Sequence, residues 1–372
     1  MKHNLDIKIE IICKRYSKYK LRVTRIEGNI IMLNKLNLKV ILLMVLSLML
    51  ILTGCGSTKS NKAQEEQKNE NVQAETGTRT ITDDIGRKVE VPDKPERIVT
   101  DWYLGQLLAL DVTPVGAVMA NLDYAAYLKD YYKEDAIENI GDGEASLEKV
   151  MELNPDLIIT WDKEAVEKYE KIAPTIVFSD TNYKSIHEEI KAMGEYLGRT
   201  DKAEQFLGDF DKRIAVAKEK INKVVSKDST FTIFDLGKKN LSVIAPNGVV
   251  GGRALYETLG MTPPPKVKEL FDTKEADGSR YEISYEVVND YVGDYVIEMN
   301  YFNKGGSLPA TWTNLDAVKK GEVIKLAPEY YFASDPVSVL HQAEDLATKI
   351  EKLTKEKNSV VVNNLNYKKK IN

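Results

Sequence analysis

From about residue 97 onward the chain alternates short apolar runs rich in Val and Ile with stretches whose apolar positions recur every three or four residues. The first pattern suits strands buried on both faces, and the second is one stripe of an amphipathic helix. RIVT (97–100), PVGAV (114–118), DLIIT (156–160) and TIVF (175–178) read as strands, with LGQLLAL (104–110), SLEKVMEL (146–153) and EAVEKYEKIA (164–173) as the helices between them. The scheme then restarts. FTIFDL (231–236), LSVIA (241–245), DYVIEM (294–299) and EVIKL (322–326) read as strands, and RALYETLG (253–260), SYEVVNDY (284–291), TNLDAVKK (313–320) and PVSVLHQAEDLATKIEKL (336–353) as helices. Such alternation predicts an α/β protein with mainly parallel sheets.

Between the two series, Ala203, Phe206, Leu207, Phe210, Ile214, Ala217 and Ile221 hold one face of a helix over 201–225, with Asp201 as its N-cap. At 1.5 Å per residue such a helix runs about 35 Å and joins two bodies stiffly. The expectation is therefore two Rossmann-like lobes, 79–200 and 226–353, joined by one long rigid helix. The tail, 354–372, has no clear role and is expected to fray.

One unit is written twice. ASLEKVMELNPDLII (145–159) aligns without a gap on ISYEVVNDYVGDYVI (283–297), matching Ser146 with Ser284, Glu148 with Glu286, Val150 with Val288, Asp156 with Asp294 and Ile159 with Ile297. In each copy the serine is placed to cap a helix and the glutamate falls in its first turn, where a negative charge complements the helix dipole by about 0.3–1 kcal/mol.

The N-terminal part is of another kind. VILLMVLSLMLIL (40–52) follows Lys35 and Lys39 and leads into LTGC, ending at Cys55. A basic start, an apolar run and small residues before a cut describe a secretory signal that is shorter than the roughly 20 residues a spanning helix needs. It resembles the bacterial lipoprotein signal, which implies that residues 1–54 are leader and signal peptide and that the Cys55 thiol is lipidated. Residues 1–31 make a long basic leader, so translation is expected to begin at Met32. The only other cysteine, Cys13, lies in that leader, which leaves the mature chain no disulfide. Residues 56–78 are almost devoid of apolar side chains and read as a flexible tether reaching about 25–30 Å.

Charge narrows the partners. The whole chain is formally −5, and removal of residues 1–54 leaves 42 Lys and Arg against 54 Asp and Glu, or −12. A body so acidic does not attract nucleic acid or anionic lipid by charge, so membrane attachment falls to the lipid.

Past the leader only His187 and His341 remain, too few for a zinc-type cluster, and no dinucleotide fingerprint, P-loop, nucleophile elbow or H-E-x-x-H occurs. GDGEAS (141–146) imitates the first of these but lacks the last glycine. No catalytic residue is assigned, and an enzyme is not expected. Aromatic side chains instead mark the predicted strand ends: Trp102 and Tyr103, Trp161, Tyr183, Tyr301 and Phe302, and Tyr330, Tyr331 and Phe332. Ligands of open α/β sheets sit beyond the carboxyl ends of strands, and flat side chains there suit an organic ligand with a hydrophobic frame.

ITDDIGRKVEVPDKPERIV (81–99), LLALDVTPVGA (107–117), SLEKVMELNPDLII and SDPVSVLHQAEDLA (334–347) resemble the surface binding proteins of ABC importers for ferric siderophores, over roughly residues 80 to 353. The resemblance implies two lobes closing modestly on a ferric siderophore, with Trp102, Tyr103, Trp161, Tyr183, Lys238, Arg253, Tyr301 and Tyr331 as candidate ligand contacts. It also implies docking of one glutamate per lobe, Glu148 and Glu286, on a permease dimer. Iron in such complexes already has six oxygen ligands, so no cofactor and no side-chain metal ligand is expected. The protein is expected to be a monomer held at the outer face of the cell membrane through Cys55.

Asp101, Asp162 and Asp180 stand against Lys163, Lys238 and Lys239 near the strand ends. At an effective dielectric near 20 each unit charge about 4 Å from the ligand matters by about 4 kcal/mol, which favours a near-neutral ferric hydroxamate over a catecholate trianion. Hydroxamate binders of this family often carry Trp and Arg before the glycine pair that opens the second lobe's first helix. Here Gly248, Val249 and Val250 precede Gly251 and Gly252, and Arg253 follows, a departure from that pattern. The alternatives are a haem or cobalamin binder of the same fold, or an envelope enzyme acting on the siderophore.

Overall fold

A computed structural model of the chain describes residues 77–272, 279–300, 302–303 and 306–371. The signal segment, Cys55 and nearly all of the tether lie outside these residues. Among them no helix is long and apolar enough to cross a membrane.

The described chain opens with a hairpin that the apolar pattern had not announced, β1 (Thr78–Thr82) antiparallel to β2 (Lys88–Pro92). Its strands alternate exposed with partly or fully buried positions. Asp83 closes its turn by accepting from the Arg87 backbone N–H at 2.8 Å and from the guanidinium at 2.6 Å.

The first lobe follows as β3 (Ile98–Thr100), α1 (Leu104–Ala109), β4 (Gly116–Ala117), three short 3-10 turns, β5 (Glu138–Asn139), α2 (Leu147–Glu152), β6 (Leu157–Thr160), α3 (Val166–Tyr169), β7 (Thr175–Val177) and α4 (Ile186–Leu197). Its five strands lie in the order β5-β4-β3-β6-β7, all parallel. β3, β6 and β7 are buried at every position, the burial that unbroken Ile and Val runs demand. Helix α4, whose Ile186, Ile190, Met193 and Leu197 turn inward, is an addition to the predicted elements.

Helix α5 (Thr200–Asn222) is the predicted connector, with Ala203, Leu207, Phe210, Ile214, Ala217 and Ile221 buried along one face. Asp201 sits within its first turn, and Arg199 takes the cap position.

The second lobe runs β8 (Phe231–Leu236), β9 (Asn240–Ile244), a π-helical turn over Arg253–Thr258, α6 (Pro265–Phe271), β10 (Arg280–Ser284), a 3-10 turn over Tyr285–Tyr291, β11 (Tyr295–Met299), α7 (Ala310–Thr313), α8 (Asp316–Lys319), β12 (Val323–Leu326), α9 (Pro328–Tyr331) and α10 (Pro336–Ile371). The order is β10-β9-β8-β11-β12, and the sheet is mixed, because β9 folds straight back on β8 and β10 pairs antiparallel with β9. The two lobes are thus α/β units of related but unequal topology.

Three local expectations change. SYEVVNDY forms a 3-10 turn: Ser284 Oγ accepts from Glu286 N–H at 3.2 Å, and the β-branched pair Val287 and Val288 slightly disfavours an α-helix. RALYETLG starts with a π turn preceded by left-handed backbone at Val250 (φ 64°) and Gly251 (φ 78°), an unusual conformation for a β-branched residue. The expected frayed tail is instead the continuation of α10, which meets no proline or glycine after Pro336. Thr354, 5% exposed, anchors that continuation with hydrogen bonds to Ile350 O and Tyr295 Oη.

The duplicated unit has a structural duty. Asp156 accepts from the N–H groups of Glu96 and Arg97 at 2.8 and 3.0 Å, just ahead of β3. Asp294, its counterpart, accepts from Thr230 N–H and Oγ at 2.8 and 2.9 Å, just ahead of β8. Each aspartate therefore fixes the start of the strand beside its own, β3 next to β6 and β8 next to β11.

Helix α10 ties the parts together. Along α5, Arg213 forms a two-pronged pair with Glu344 at 2.8 and 2.6 Å. Against α1, Gly105 leaves room for Asp335, whose Oδ1 lies 2.1 Å from where a Cβ would stand.

Candidate ligand-binding site

At the ends of β3 and β6 two threonines do the same work. Thr100 Oγ accepts from the N–H groups of Trp102 and Tyr103, and Thr160 Oγ accepts from that of Asp162 at 3.0 Å while donating to Asp101 at 2.6 Å. Asp101, 7% exposed, also accepts from Trp161 N–H at 3.3 Å. This knot brings the loops carrying Trp102 and Trp161 together at neighbouring strand ends, each tryptophan half-buried.

Tyr183 is held beyond β7. Its ring stacks on Phe178 at 5.2 Å, and its hydroxyl donates to Asp84 at 2.6 Å, where Tyr196 also donates at 2.8 Å. Burial and the Asp84 carboxylate hold the Tyr183 phenol far above its ordinary pKa, so it stays protonated.

Four candidates stand elsewhere. Tyr103 is 1% exposed, edge-on to Phe178 with its hydroxyl on Phe178 O at 2.6 Å, and is a core residue. Tyr331 is likewise 1% exposed, and its hydroxyl donates to Asp345 at 2.6 Å. Lys238 is exposed on the tight turn between β8 and β9. Arg253, 9% exposed, spends its guanidinium on Glu189 at 2.7 Å, Glu257 at 3.2 Å and Ser334 O at 3.0 Å. Tyr301 lies outside the described residues.

The Arg253 arrangement ties the lobes. Glu189 projects from α4 of the first lobe, fully buried, and also accepts from Gln106 at 2.8 Å. Burial pushes its carboxyl up to about 7 against the pull of Arg253. A group this enclosed has the signature of an interface clamp, because nothing larger than its partners can reach it.

Another cation, partly exposed beside aromatic rings, is one the apolar pattern missed. Arg280, at the start of β10, bonds Asp235 at 3.1 Å, and its side chain keeps 21% of its surface exposed. Its guanidinium lies 5.9 Å from the Phe302 ring and 6.0 Å from that of Phe332, within cation–π range. Phe332 in turn packs 5.4 Å from Tyr124 of the first lobe, both rings 4% exposed, so buried aromatic rings of the two lobes meet behind this guanidinium. Burial raises the Asp235 carboxyl to about 6, and its Oδ1 is enclosed without a hydrogen-bond partner among the described residues. One signal was available: an aspartate inside the otherwise apolar run FTIFDL needs a buried cation.

Of the two histidines among the described residues, His187 pairs with Asp211 at 2.9 Å on the surface, and His341 stacks on Tyr127 at 5.0 Å with its Nε2 2.8 Å from Tyr131 Oη. Among the described residues no group of three or more His, Cys, Asp or Glu side chains is disposed to hold a metal ion.

Glu148 and Glu286 are both exposed in the first turns of α2 and of the second-lobe 3-10 turn, capped by Ser146 and Ser284.

The periplasmic binding protein family model matches residues 99–330. An iron(3+)-hydroxamate-binding protein of Bacillus subtilis, YxeB, is 34% identical over 87% of this chain and 99% of its own length. A second from that organism, the iron(3+)-hydroxamate-binding protein FhuD, is 35% identical over 83% and 96% of the two chains. Among solved structures, a FhuD fold-family periplasmic binding protein component of a Fep/Fec-like ferrichrome ABC transporter from Bacillus subtilis superposes with a TM-score of 0.64 at 33% identity, over 73% of this chain and all of that one. Kinship along nearly the whole described chain, and a two-lobe fold shared with a solved relative, place it: the chain belongs to the periplasmic binding protein family.

Proposed function

We propose that this chain is a lipid-anchored, extracytoplasmic binding protein that captures a ferric siderophore of the hydroxamate type and delivers it to an ABC permease dimer. The observation that carries the reading is the pair of half-buried tryptophans, Trp102 and Trp161, on loops knotted together at adjacent strand ends, and the second lobe adds a partly exposed guanidinium, Arg280, paired with Asp235 and within cation–π range of Phe302 and Phe332. Aromatic walls suit the carbon frame of the siderophore. One neutralised cation suits a near-neutral complex better than a trianion, which asks for several unopposed positive groups. The names of the two Bacillus relatives support the same class.

In this reading the protein acts as a carrier, and iron enters as part of the cargo, six-coordinated by siderophore oxygens. Side chains contribute hydrogen bonds and stacking to the outside of that complex. Cys55 carries the lipid, and the polar tether keeps the acidic body close to the membrane without binding it.

Native mass spectrometry tests the reading. Incubation with an equimolar mixture of a ferric tris-hydroxamate, haem and cobalamin is expected to yield one adduct, the protein with one intact ferric tris-hydroxamate. A haem or cobalamin adduct as the main species would overturn the ligand class. Loss of iron or a cleaved siderophore on prolonged incubation would overturn the carrier role.

A further inference from the structure

Both aspartates of the hairpin turn between β1 and β2 reach into the first lobe, and they do different work there. Asp83 accepts from Val177 N–H at 3.2 Å, and Arg87, paired with Asp83, donates to Thr175 O at 2.8 Å, so these two already brace the turn against β7. Asp84 goes past the end of that strand. Its N–H donates to Val177 O at 3.1 Å, its carbonyl accepts from Asn182 Nδ2 at 3.3 Å, and its Oδ2 accepts from Ser179 N–H at 2.6 Å. Its Oδ1 accepts from two phenols, that of Tyr183 at 2.6 Å and that of Tyr196, on α4, at 2.8 Å.

Tyr183 is thereby held at two points. Its ring lies on Phe178, which is fully buried, with the two planes 24° apart, and its hydroxyl is tied at the far end to a carboxylate. Hydrogen bonds to an ionised acceptor are short and roughly twice as strong as neutral ones. With its one proton committed to Asp84 and its phenol held protonated, the side chain has no O–H to give a ligand and no phenolate to give iron. What it offers is a partly exposed ring at the third of three adjacent strand ends, after Trp102 at β3 and Trp161 at β6. A ring fixed before the ligand arrives loses no rotamer freedom on binding.

We propose that Asp84 is a positioning residue for ligand capture: from a hairpin turn outside the strand-end loops, it presets the Tyr183 ring as the third wall of the first-lobe half of the site. The proposal rests on the carrier reading above, in which the ferric complex lies against the ends of β3, β6 and β7. It assigns Asp84 no contact with the ligand, and it makes Tyr183 a stacking surface rather than a donor.

The test is a double-mutant cycle on the purified protein, reading by calorimetry the affinity for ferrioxamine B, a ferric tris-hydroxamate, at a temperature where each variant is folded. Asp84→Asn, which keeps only part of the acceptor set, and Tyr183→Phe, which keeps the ring and every charge, are each expected to weaken binding about three- to tenfold. The doubly substituted protein is expected to bind no more weakly than the weaker single variant, because both changes release the same ring. Tyr196→Phe, which removes the other phenol from the same carboxylate oxygen, should bind like the parent. Parental affinity in Tyr183→Phe, losses that multiply in the double variant, or an equal loss in Tyr196→Phe would overturn the proposal, and the two phenylalanine variants decide it even where Asp84→Asn does not fold. Failure of the parent itself to bind ferrioxamine B would overturn the ligand class, and this proposal with it.

Discussion

A protein carrying both Glu148→Ala and Glu286→Ala is expected to bind its ferric ligand and melt like the parent, yet to deliver no iron to cells. Both carboxylates are exposed, and neither is engaged by another described side chain, so the fold loses at most the helix-end complement of about 0.3–1 kcal/mol at each site. Docking loses more. Each charge-assisted contact contributes about 1.5–3 kcal/mol, so two together amount to about two to four orders of magnitude in affinity for the partner. The caps survive the change, because Ser146 and Ser284 accept from backbone N–H groups that alanine retains. Uptake at the parental rate, or a loss of soluble ligand affinity that matches the loss of uptake, would return both residues to the role of helix-end charges.

The second large effect concerns Arg253, which lies in a clamp between lobes. Arg253→Ala leaves Glu189 buried without its counter-charge, and removal of one partner of such a pair costs about 3–5 kcal/mol. Denaturant unfolding is expected to show that loss, while the protein that remains folded binds ferric hydroxamate with parental affinity. Arg253→Lys should recover only part of the stability, since one ammonium cannot replace a fork that reaches Glu189, Glu257 and Ser334 O at once. Replacing both partners by leucine should recover most of it. Near-parental stability of Arg253→Ala together with a tenfold or greater loss of ligand affinity would restore Arg253 to the ligand.

The same residue shows where reading from the chain stops. Strands made of short, mostly apolar runs, such as LIIT and FTIF, and the one-sided apolar face of the connecting helix, announce themselves because burial on both faces leaves an apolar block and burial on one stripe leaves a period. Arg253 and Arg280 carry no such mark. Both follow glycine- or loop-rich stretches, both are positive, and only the packing of α4 against the second lobe decides that Arg253 meets Glu189 while Arg280 keeps an exposed edge. Tyr103 and Tyr331 were legible as strand-end aromatics, but a hydroxyl partner, Phe178 O for one and Asp345 for the other, draws each inward. β10 escaped notice because its alternation, RYEIS, exposes or half-exposes every position, as an edge strand permits. The duplication was legible, although its second copy folds as a 3-10 turn, and the structure adds that Asp156 and Asp294 each fix the start of a neighbouring strand.

The central claim is that a site built on the Trp102 and Trp161 loops, with the Arg280 guanidinium balanced by Asp235, prefers a near-neutral ferric complex. The most direct measurement is a titration of the purified protein with a ferric tris-hydroxamate, a ferric tris-catecholate and ferric citrate, following tryptophan emission. Trp102 and Trp161 lie at adjacent strand ends, so a coloured ferric complex bound there should quench them. The expected result is saturable quenching at the lowest concentration by the tris-hydroxamate, with the catecholate trianion weaker by at least about tenfold. Tighter binding of the trianion, or saturable hydroxamate binding that leaves tryptophan emission unchanged, would contradict the account.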